Sequence, residues 1–147
     1  MIAIEKAFQI APPQRPAVLC VKRGNATEMI ALDWFTWLNL RTQPMISYAM
    51  KRTVNMGLDL EADDTLYLAF PAPADVEKYA DGILALPEAQ EEGDVRPISA
   101  DNLPVMIPEG SDVVLHCTLA RAYNYPFKKV RIFNCNLEAV IEPNLKK

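Results

Sequence analysis

The segment from Met29 to Thr53 constrains the fold most strongly, because it holds short apolar runs separated by a polar loop instead of one long amphipathic repeat. One run, residues 45–50, follows a proline and ends at the adjacent cations Lys51 and Arg52. Apolar runs of about four to eight residues between turn signals are typical of buried β-strands. The segment therefore predicts paired strands that can hold a flat ring at one end and an anion at the other.

Similar runs recur along the chain and predict a mainly β protein with some α-helix. We expect strands at residues 17–21, 28–33, 45–50, 65–70, 113–123, 130–133 and 137–141. Gly24 and Asn25 mark a turn after the first strand, and Asn124 begins the turn that precedes residue 130. This pattern suits a β-barrel of about six strands with one or two appended helices.

A helix is predicted after the fourth strand. Asp75 is placed to cap it, and Val76, Tyr79, Ala80 and Ile83 recur at helical spacing. We expect this helix to lie on the outside of the barrel.

The region between residues 87 and 108 is rich in proline and acidic residues. Such a composition predicts a long connection, with at most short strands around Val95 and Val105. We interpret it as a lid or a dimer arm.

Length and composition favour one soluble unit. A chain of 147 residues that is half apolar can build one core, so we expect a single domain over residues 1–147. No apolar run reaches the roughly eighteen residues of a membrane-spanning helix. Residues 1–6 lack the charged-then-apolar order of a secretory signal. We therefore expect a cytoplasmic protein with no membrane partner.

Charge is unevenly distributed along the chain. Residues 1–53 carry seven lysines and arginines against three acids, whereas residues 54–112 carry two against fourteen. A nucleic-acid surface ordinarily shows a clustered basic face, so we expect no nucleic-acid partner. The basic first part is better matched to one small anion.

The three cysteines, Cys20, Cys117 and Cys135, lie in apolar stretches without the spacing of a metal site. We interpret them as reduced thiols that pack as small hydrophobic side chains. A redox pair of Cys117 and Cys135 stays open, because it requires that their two strands be neighbours.

Common nucleotide and metal motifs are absent from the sequence. There is neither a G-x-G-x-x-G turn nor a P-loop, and one histidine with scattered cysteines and acids predicts no zinc or calcium site. The histidine, His116, has no acid or nucleophile beside it in the sequence, which favours a structural or surface role.

The order of features in residues 29–53 resembles the flavin reductase-like proteins, the FMN-binding split-barrel family that includes the flavoredoxins. The family pattern is Asn-x-x-Thr-x-x-Trp, then Ser-x-Pro-Pro, then an apolar strand that ends in Arg-x-Thr. The matching parts of this chain are Trp34-Phe35, Pro44-Met-Ile-Ser-Tyr-Ala-Met50 and Lys51-Arg52-Thr53. Residues 16–23 and 64–71 resemble two further strands of the family.

The chain departs from the family pattern at several positions. Met29 and Leu32 stand where the family has its Asn and Thr, and Gln43 replaces the first proline. Residues 123–133 lack the histidine and glycines of the family's Gly-Asp-His-x-x-Phe turn. That turn lies near the nicotinamide side of the flavin in the family.

The resemblance implies a split-barrel homodimer with an FMN site at the subunit interface. It also implies an NAD(P)H:flavin oxidoreductase, or a carrier that receives electrons from a protein redox partner, with flavin and nicotinamide as its small molecules. FMN requires cations and hydroxyl donors for its phosphate, and the resemblance assigns this role to the cations Lys51 and Arg52 together with the Thr53 hydroxyl.

The remaining FMN contacts are assigned in the same way. Ser47 and Asn39 are candidates for the ribityl chain, and the small Ala49 leaves room beside Ser47. The backbone amides of Leu32, Asp33 and Trp34 are candidates for the ring, and Trp34 or Phe35 would cover one of its faces. No catalytic side chain is required, because hydride transfer to flavin depends mainly on stacking and distance.

An alternative function stays open at this stage. Adjacent cations at a strand end are usually solvated, and tryptophans are usually core residues. Asp33 would repel a reduced, anionic flavin ring if it faced it. The chain can therefore be a degenerate member of the split-barrel family without flavin redox activity, acting as a small-ligand or protein-binding module, or a structural dimeric subunit.

Overall fold

Strands dominate the computed structural model, which describes residues 15–32, 34–38, 43–51, 57–87, 95–125 and 129–145. The strands are β1 (Val18–Arg23), β2 (Ala26–Ala31), β3 (Trp34–Leu38), β4 (Met45–Lys51), β5 (Thr65–Ala69), β6 (Ile83–Ala85), β7 (Pro97–Ile98), β8 (Ile107–Pro108), β9 (Val114–Asn124) and β10 (Val130–Ile141). A short helix, α1 (Pro73–Val76), continues as a 3₁₀ turn over Glu77–Tyr79. No helix among these residues is long and apolar enough to cross a membrane.

Eight strands form one antiparallel sheet in the order β3-β4-β10-β9-β5-β1-β2-β6. Only Leu32 and Asp33 separate β2 from β3, so these two strands are one bent run of chain. Because β2 pairs with β1 and β3 pairs with β4, this bent run closes the sheet into a barrel of six strands, with β2 and β3 counted together. The predicted fold class, a mainly β barrel of about six strands, is confirmed.

The barrel interior is filled with apolar side chains. Successive residues of a strand face opposite sides, and the inward set is buried on every strand. Its members are Leu19, Val21, Ile30, Phe35, Trp37, Ile46, Tyr48, Met50, Leu66, Leu68, Leu115, Cys117, Leu119, Phe133, Cys135 and Leu137. Phe35 on β3 meets Phe70, which follows β5, edge-on at 5.2 Å between ring centroids. Since β3 and β5 are not neighbours in the sheet, this contact crosses the barrel and shows that the interior is packed.

A second layer covers the outer face of β1, β2 and β5. Val76 and Tyr79 from the helical segment are buried there, with Val105 and Ile107 from the later connection. The helix therefore lies outside the barrel, as predicted.

Two details of the predicted helix are wrong. Asp75 does not cap it, because α1 begins at Pro73 after Ala72, and Asp75 pairs with Lys78 at 3.0 Å. Ile83 belongs to β6, because Gly82 has a positive φ of 77° that ends the helical segment.

The predicted strands at residues 130–133 and 137–141 are one continuous strand, β10. Its pairing with β9 shifts register between Asn134 and Cys135 and again between Leu137 and Ala139. Such bulges bend a strand without ending it. The asparagines in this stretch suggest an interruption, yet they alternate with inward Phe133, Cys135 and Leu137, so their side chains fall on the outer face.

The connection that precedes β9 lies against its own barrel where the structure describes it. The short strands expected near Val95 and Val105 are found two residues later, as β7 and β8, which pair with each other. The Met106 amide donates to Thr27 Oγ1 on β2 at 2.9 Å. Residues 95–113 thus form part of the outer layer; the acidic stretch 88–94 lies outside the described residues.

Candidate functional site

A cleft with a volume of about 520 Å³ opens where β2 and β4 end, beside the helical segment. Its lining consists of Pro16, Ala31, Leu32, Met50, Lys51, Pro73, Val76, Glu77, Ala80 and Asp81. Small-molecule sites commonly have volumes of about 300–1,000 Å³ and combine apolar walls with a few polar groups. The cleft has both properties.

The helical segment supplies one wall of the cleft. The residues it contributes are Pro73, Val76, Glu77, Ala80 and Asp81. They follow the i, i+3, i+4, i+7, i+8 spacing of a single helix face. This wall therefore presents two exposed carboxylates above an apolar base.

The strand ends supply the opposite wall. Leu32 lies at the bend between β2 and β3, and its amide donates to the Ala17 carbonyl at 3.0 Å, which holds the bend against the start of β1. Met50 is buried and Lys51 is exposed at the end of β4. A cation thus lies across the cleft from the two carboxylates.

The barrel-interior side of Met50 is closely packed. Gly57 has a φ of 78°, and a Cβ added there would lie 2.9 Å from Leu19 Cδ2 and 3.2 Å from Met50 Sδ. Glycine meets both demands, because it accepts the left-handed conformation and has no side chain. Gly57 therefore lets the chain pass against the strand end that carries Lys51.

Two of the predicted site residues, Leu32 and Lys51, line this cleft together. The Leu32 backbone amide donates to the Ala17 carbonyl, so it is occupied within the protein. Phe35, the alternative to Trp34 as a cover for the ring, does not line the cleft. It faces the barrel interior with 3% exposure and packs on Trp37 and Phe70.

Ser47 and Ala49 face the outside of the barrel on β4 but do not line the cleft. Both are buried, and Ser47 lies between Thr36 of β3 and Asn134 of β10. Trp34 is half exposed on the same outer face. The predicted residues Asp33, Asn39, Arg52 and Thr53 lie outside the described part of the chain.

Neither a protein-family profile nor a curated protein sequence matches this chain. Solved structures do match it. An NADH:FAD oxidoreductase of Streptomyces globisporus superposes with a TM-score of 0.66 at 15% identity, covering 97% of this chain and 86% of the other. The FMN-binding protein of Thermus thermophilus superposes with a TM-score of 0.65 at 19% identity, covering 88% of this chain and 72% of the other. Flavoredoxin from Methanosarcina acetivorans superposes with a TM-score of 0.63 at 12% identity, covering 88% of this chain and 69% of the other.

The fold is the flavin reductase-like split barrel. The likeness extends over most of this chain and most of each neighbour.

Sequence reasoning missed the acidic wall of this split barrel. Glu77 and Asp81 are four residues apart, which places them on one helix face, and that spacing is visible in the sequence. The face they share with Val76 was assigned to the barrel contact. Whether a helix face is buried or forms the wall of a cleft depends on where the neighbouring strands end. The spacing of residues within the helix does not give that information.

The three cysteines are free and buried. Burial raises the pKa of the Cys135 thiol to about 12, and it raises the pKa of Cys20 and of Cys117 as well. Strands β9 and β10 are neighbours, and Cys117 and Cys135 pair with Leu137 and Leu119, which places the two thiols diagonally in the interior. Both are reduced thiols within the apolar core of this structure.

His116 lies on the outer face of β9 and stacks on Tyr67 of β5, with ring centroids 5.0 Å apart and planes 16° apart. The contact is a cross-strand aromatic pair of the kind that stabilises a sheet. His116 does not line the cleft.

Proposed function

We propose that this protein binds FMN in the cleft beside the bend between β2 and β3, and passes electrons from NAD(P)H or a redox partner protein through it. One observation carries the proposal. A cleft of suitable volume places Lys51 across from apolar surface, in a fold shared with an FMN-binding protein, a flavoredoxin and an NADH:FAD oxidoreductase.

The residues of the cleft fit the two ends of FMN. Leu32, Met50 and Val76 supply apolar surface for a flat ring. Lys51 supplies a cation at the end of β4, and Arg52 and Thr53 follow it directly in the sequence. A charge-assisted hydrogen bond from an ammonium is the kind of contact a phosphate requires.

The division of labour in such a site is simple. A bound flavin supplies the capacity to accept a hydride or single electrons. The chain binds the phosphate through Lys51, orients the ring against the apolar wall and limits the access of water. The lining contains no histidine or cysteine, and this chemistry requires none.

We also propose that the protein is a homodimer. An outward row of four side chains runs across neighbouring strands β3, β4, β10 and β9: Trp34, Ala49, Ile132 and Tyr123. Trp34 is 49% exposed and Tyr123 is 36% exposed. Aromatic side chains of this kind are enriched in protein interfaces, and a second copy would bury the row. Light scattering of the purified protein would show the mass of two chains, and Trp34→Glu would shift it to one.

A different function is favoured by two observations. The Leu32 amide and the Phe35 ring, both candidates for contact with a flavin, are occupied within the protein itself. A split barrel without these contacts can serve as a small-ligand or protein-binding module that has no redox activity. The absence of any flavin binding would support this function.

The proposal is tested by titrating FMN and riboflavin into the purified protein and following flavin absorbance and fluorescence. Saturable binding of flavin, and oxidation of NADH or NADPH in the presence of flavin, would support it. Lys51→Ala should weaken FMN about tenfold and leave riboflavin almost unchanged, since a charged hydrogen bond is worth about 1.5–3 kcal/mol before solvent screening.

Lys22→Ala is the matched control, because Lys22 is an exposed lysine on β1 that does not line the cleft. Equal weakening of both flavins by Lys51→Ala would contradict the phosphate assignment. Absence of binding at saturating FMN would contradict the function.

A further inference from the structure

The wall formed by the helical segment carries more negative charge than a phosphate site requires. Glu77 and Asp81 are exposed and line the cleft together, whereas Lys51 is the one cation among the described lining residues. No ion pair between described residues includes Glu77 or Asp81.

The third acid of the helical segment behaves differently. Asp75 is paired with Lys78 at 3.0 Å, and both line a separate cavity of about 260 Å³. Residues 75 and 78 fall between the cleft-lining positions and so lie on another face of the segment. Among the described residues, the acids of this segment without a lysine partner are therefore the two that line the cleft.

These carboxylates distinguish two parts of a flavin. A phosphate monoester carries nearly two negative charges at neutral pH, so each carboxylate repels it and offsets part of its attraction to Lys51. The ribityl hydroxyls are neutral, and a carboxylate can accept hydrogen bonds from them. The same wall is thus unfavourable to the phosphate and compatible with the rest of the molecule.

On the basis of the proposed function, we infer that Glu77 and Asp81 set the flavin selectivity of the cleft, so that FMN binds little more tightly than riboflavin. A weakly held phosphate lets the flavin exchange with solvent.

The test compares Glu77→Gln, Asp81→Asn and the double variant, with Glu138→Gln as the matched control. Glu138 is an exposed acid on β10 that does not line the cleft. The amide side chains keep the size of the acids and remove only the charge. Dissociation constants for riboflavin and FMN are measured by fluorescence titration at low and at high salt, and a thermal melt confirms that each variant is folded.

Each single substitution should shift the preference toward FMN about fivefold at low salt, as expected for a unit charge acting on a dianion across a solvated cleft. The double variant should shift it by the product of the two effects, and high salt should reduce every shift. Riboflavin affinity should change less than about twofold, since only the charge is removed. The control should leave the ratio unchanged.

The alternative results separate this inference from the function on which it rests. Flavin binding with an unchanged FMN-to-riboflavin ratio in the double variant would overturn the inference and leave the proposed function standing. Equal tightening of both flavins would also overturn it, because the carboxylates would then act on a shared part of the molecule. Failure of every variant and of the native protein to bind either flavin would overturn both.

Discussion

Tyr48 offers a sharp test of how the barrel interior is built. Its side chain is fully buried on β4 and stacks on Phe133 of β10, with centroids 4.7 Å apart and planes 12° apart. The hydroxyl has no hydrogen-bond partner in the described part of the chain. Burial, and secondarily the nearby thiols of Cys117 and Cys135, raise the pKa of this phenol well above its ordinary value.

Tyr48→Phe keeps the stacked ring and removes only the hydroxyl. An unpaired buried polar group costs about 1–3 kcal/mol, so the substitution should stabilise the protein by about 1–2 kcal/mol after the small loss of packing. For a chain of this size, that change raises Tm by about 3–6 °C.

Urea denaturation measures the effect as a shift of the midpoint at constant m-value. Tyr125→Phe is the control, because the Tyr125 side chain is 45% exposed, and its hydroxyl should contribute less than about 0.5 kcal/mol. A loss of stability in Tyr48→Phe would refute the reasoning, because it would show that the hydroxyl makes a favourable bond in solution.

Further predictions concern the packing around Gly57 and the core thiol of Cys135. Gly57→Ala should destabilise the protein by about 1–3 kcal/mol in urea denaturation, because residue 57 has a positive φ and its Cβ would press on Leu19 and Met50. Gly24→Ala, at a positive φ with open space around it, should cost less stability. A larger loss in Gly24→Ala than in Gly57→Ala would contradict the packing argument. Native Cys135 should resist a thiol reagent that reacts fully after unfolding. Its folded pKa of about 12 exceeds that of the unfolded chain, so its contribution to stability is complete below about pH 9 and is lost as the pH rises toward 12. Stability should therefore fall less steeply over this range in Cys135→Ala than in the native protein, and parallel slopes would show that Cys135 is not protected.

The barrel strands were the most predictable part of the molecule. Runs such as residues 45–50 are short and bounded by turn signals, and the alternation of a strand places Ile46, Tyr48 and Met50 together in the barrel interior. The closure of the sheet was less predictable, because it depends on β2 and β3 being one bent strand that pairs on both of its parts. The continuity of β10 was missed because a bulge looks like a break in a one-dimensional pattern.

The candidate site was predictable only in part. Leu32 and Lys51 are nineteen residues apart in the sequence, and the layout of the resemblance brought them into one expected site. The inward orientation of Phe35 was not predicted. A shift of one residue in the assumed alternation of a strand exchanges its inward and outward faces. Glu77 and Asp81 were not among the predicted site residues, because the sequence predicted only that their helical segment lies outside the barrel.

The sequence alone determined the class of this protein, since short apolar runs between prolines and glycines can bury their side chains only as paired strands around a shared core. It also determined that each cysteine thiol would lie in apolar surroundings. Only the tertiary structure decided where the cleft lies and which charges face it. Those properties arise from the meeting of a strand bend, a strand end and a helix face that are far apart along the chain, and local propensity carries no information about such distant encounters.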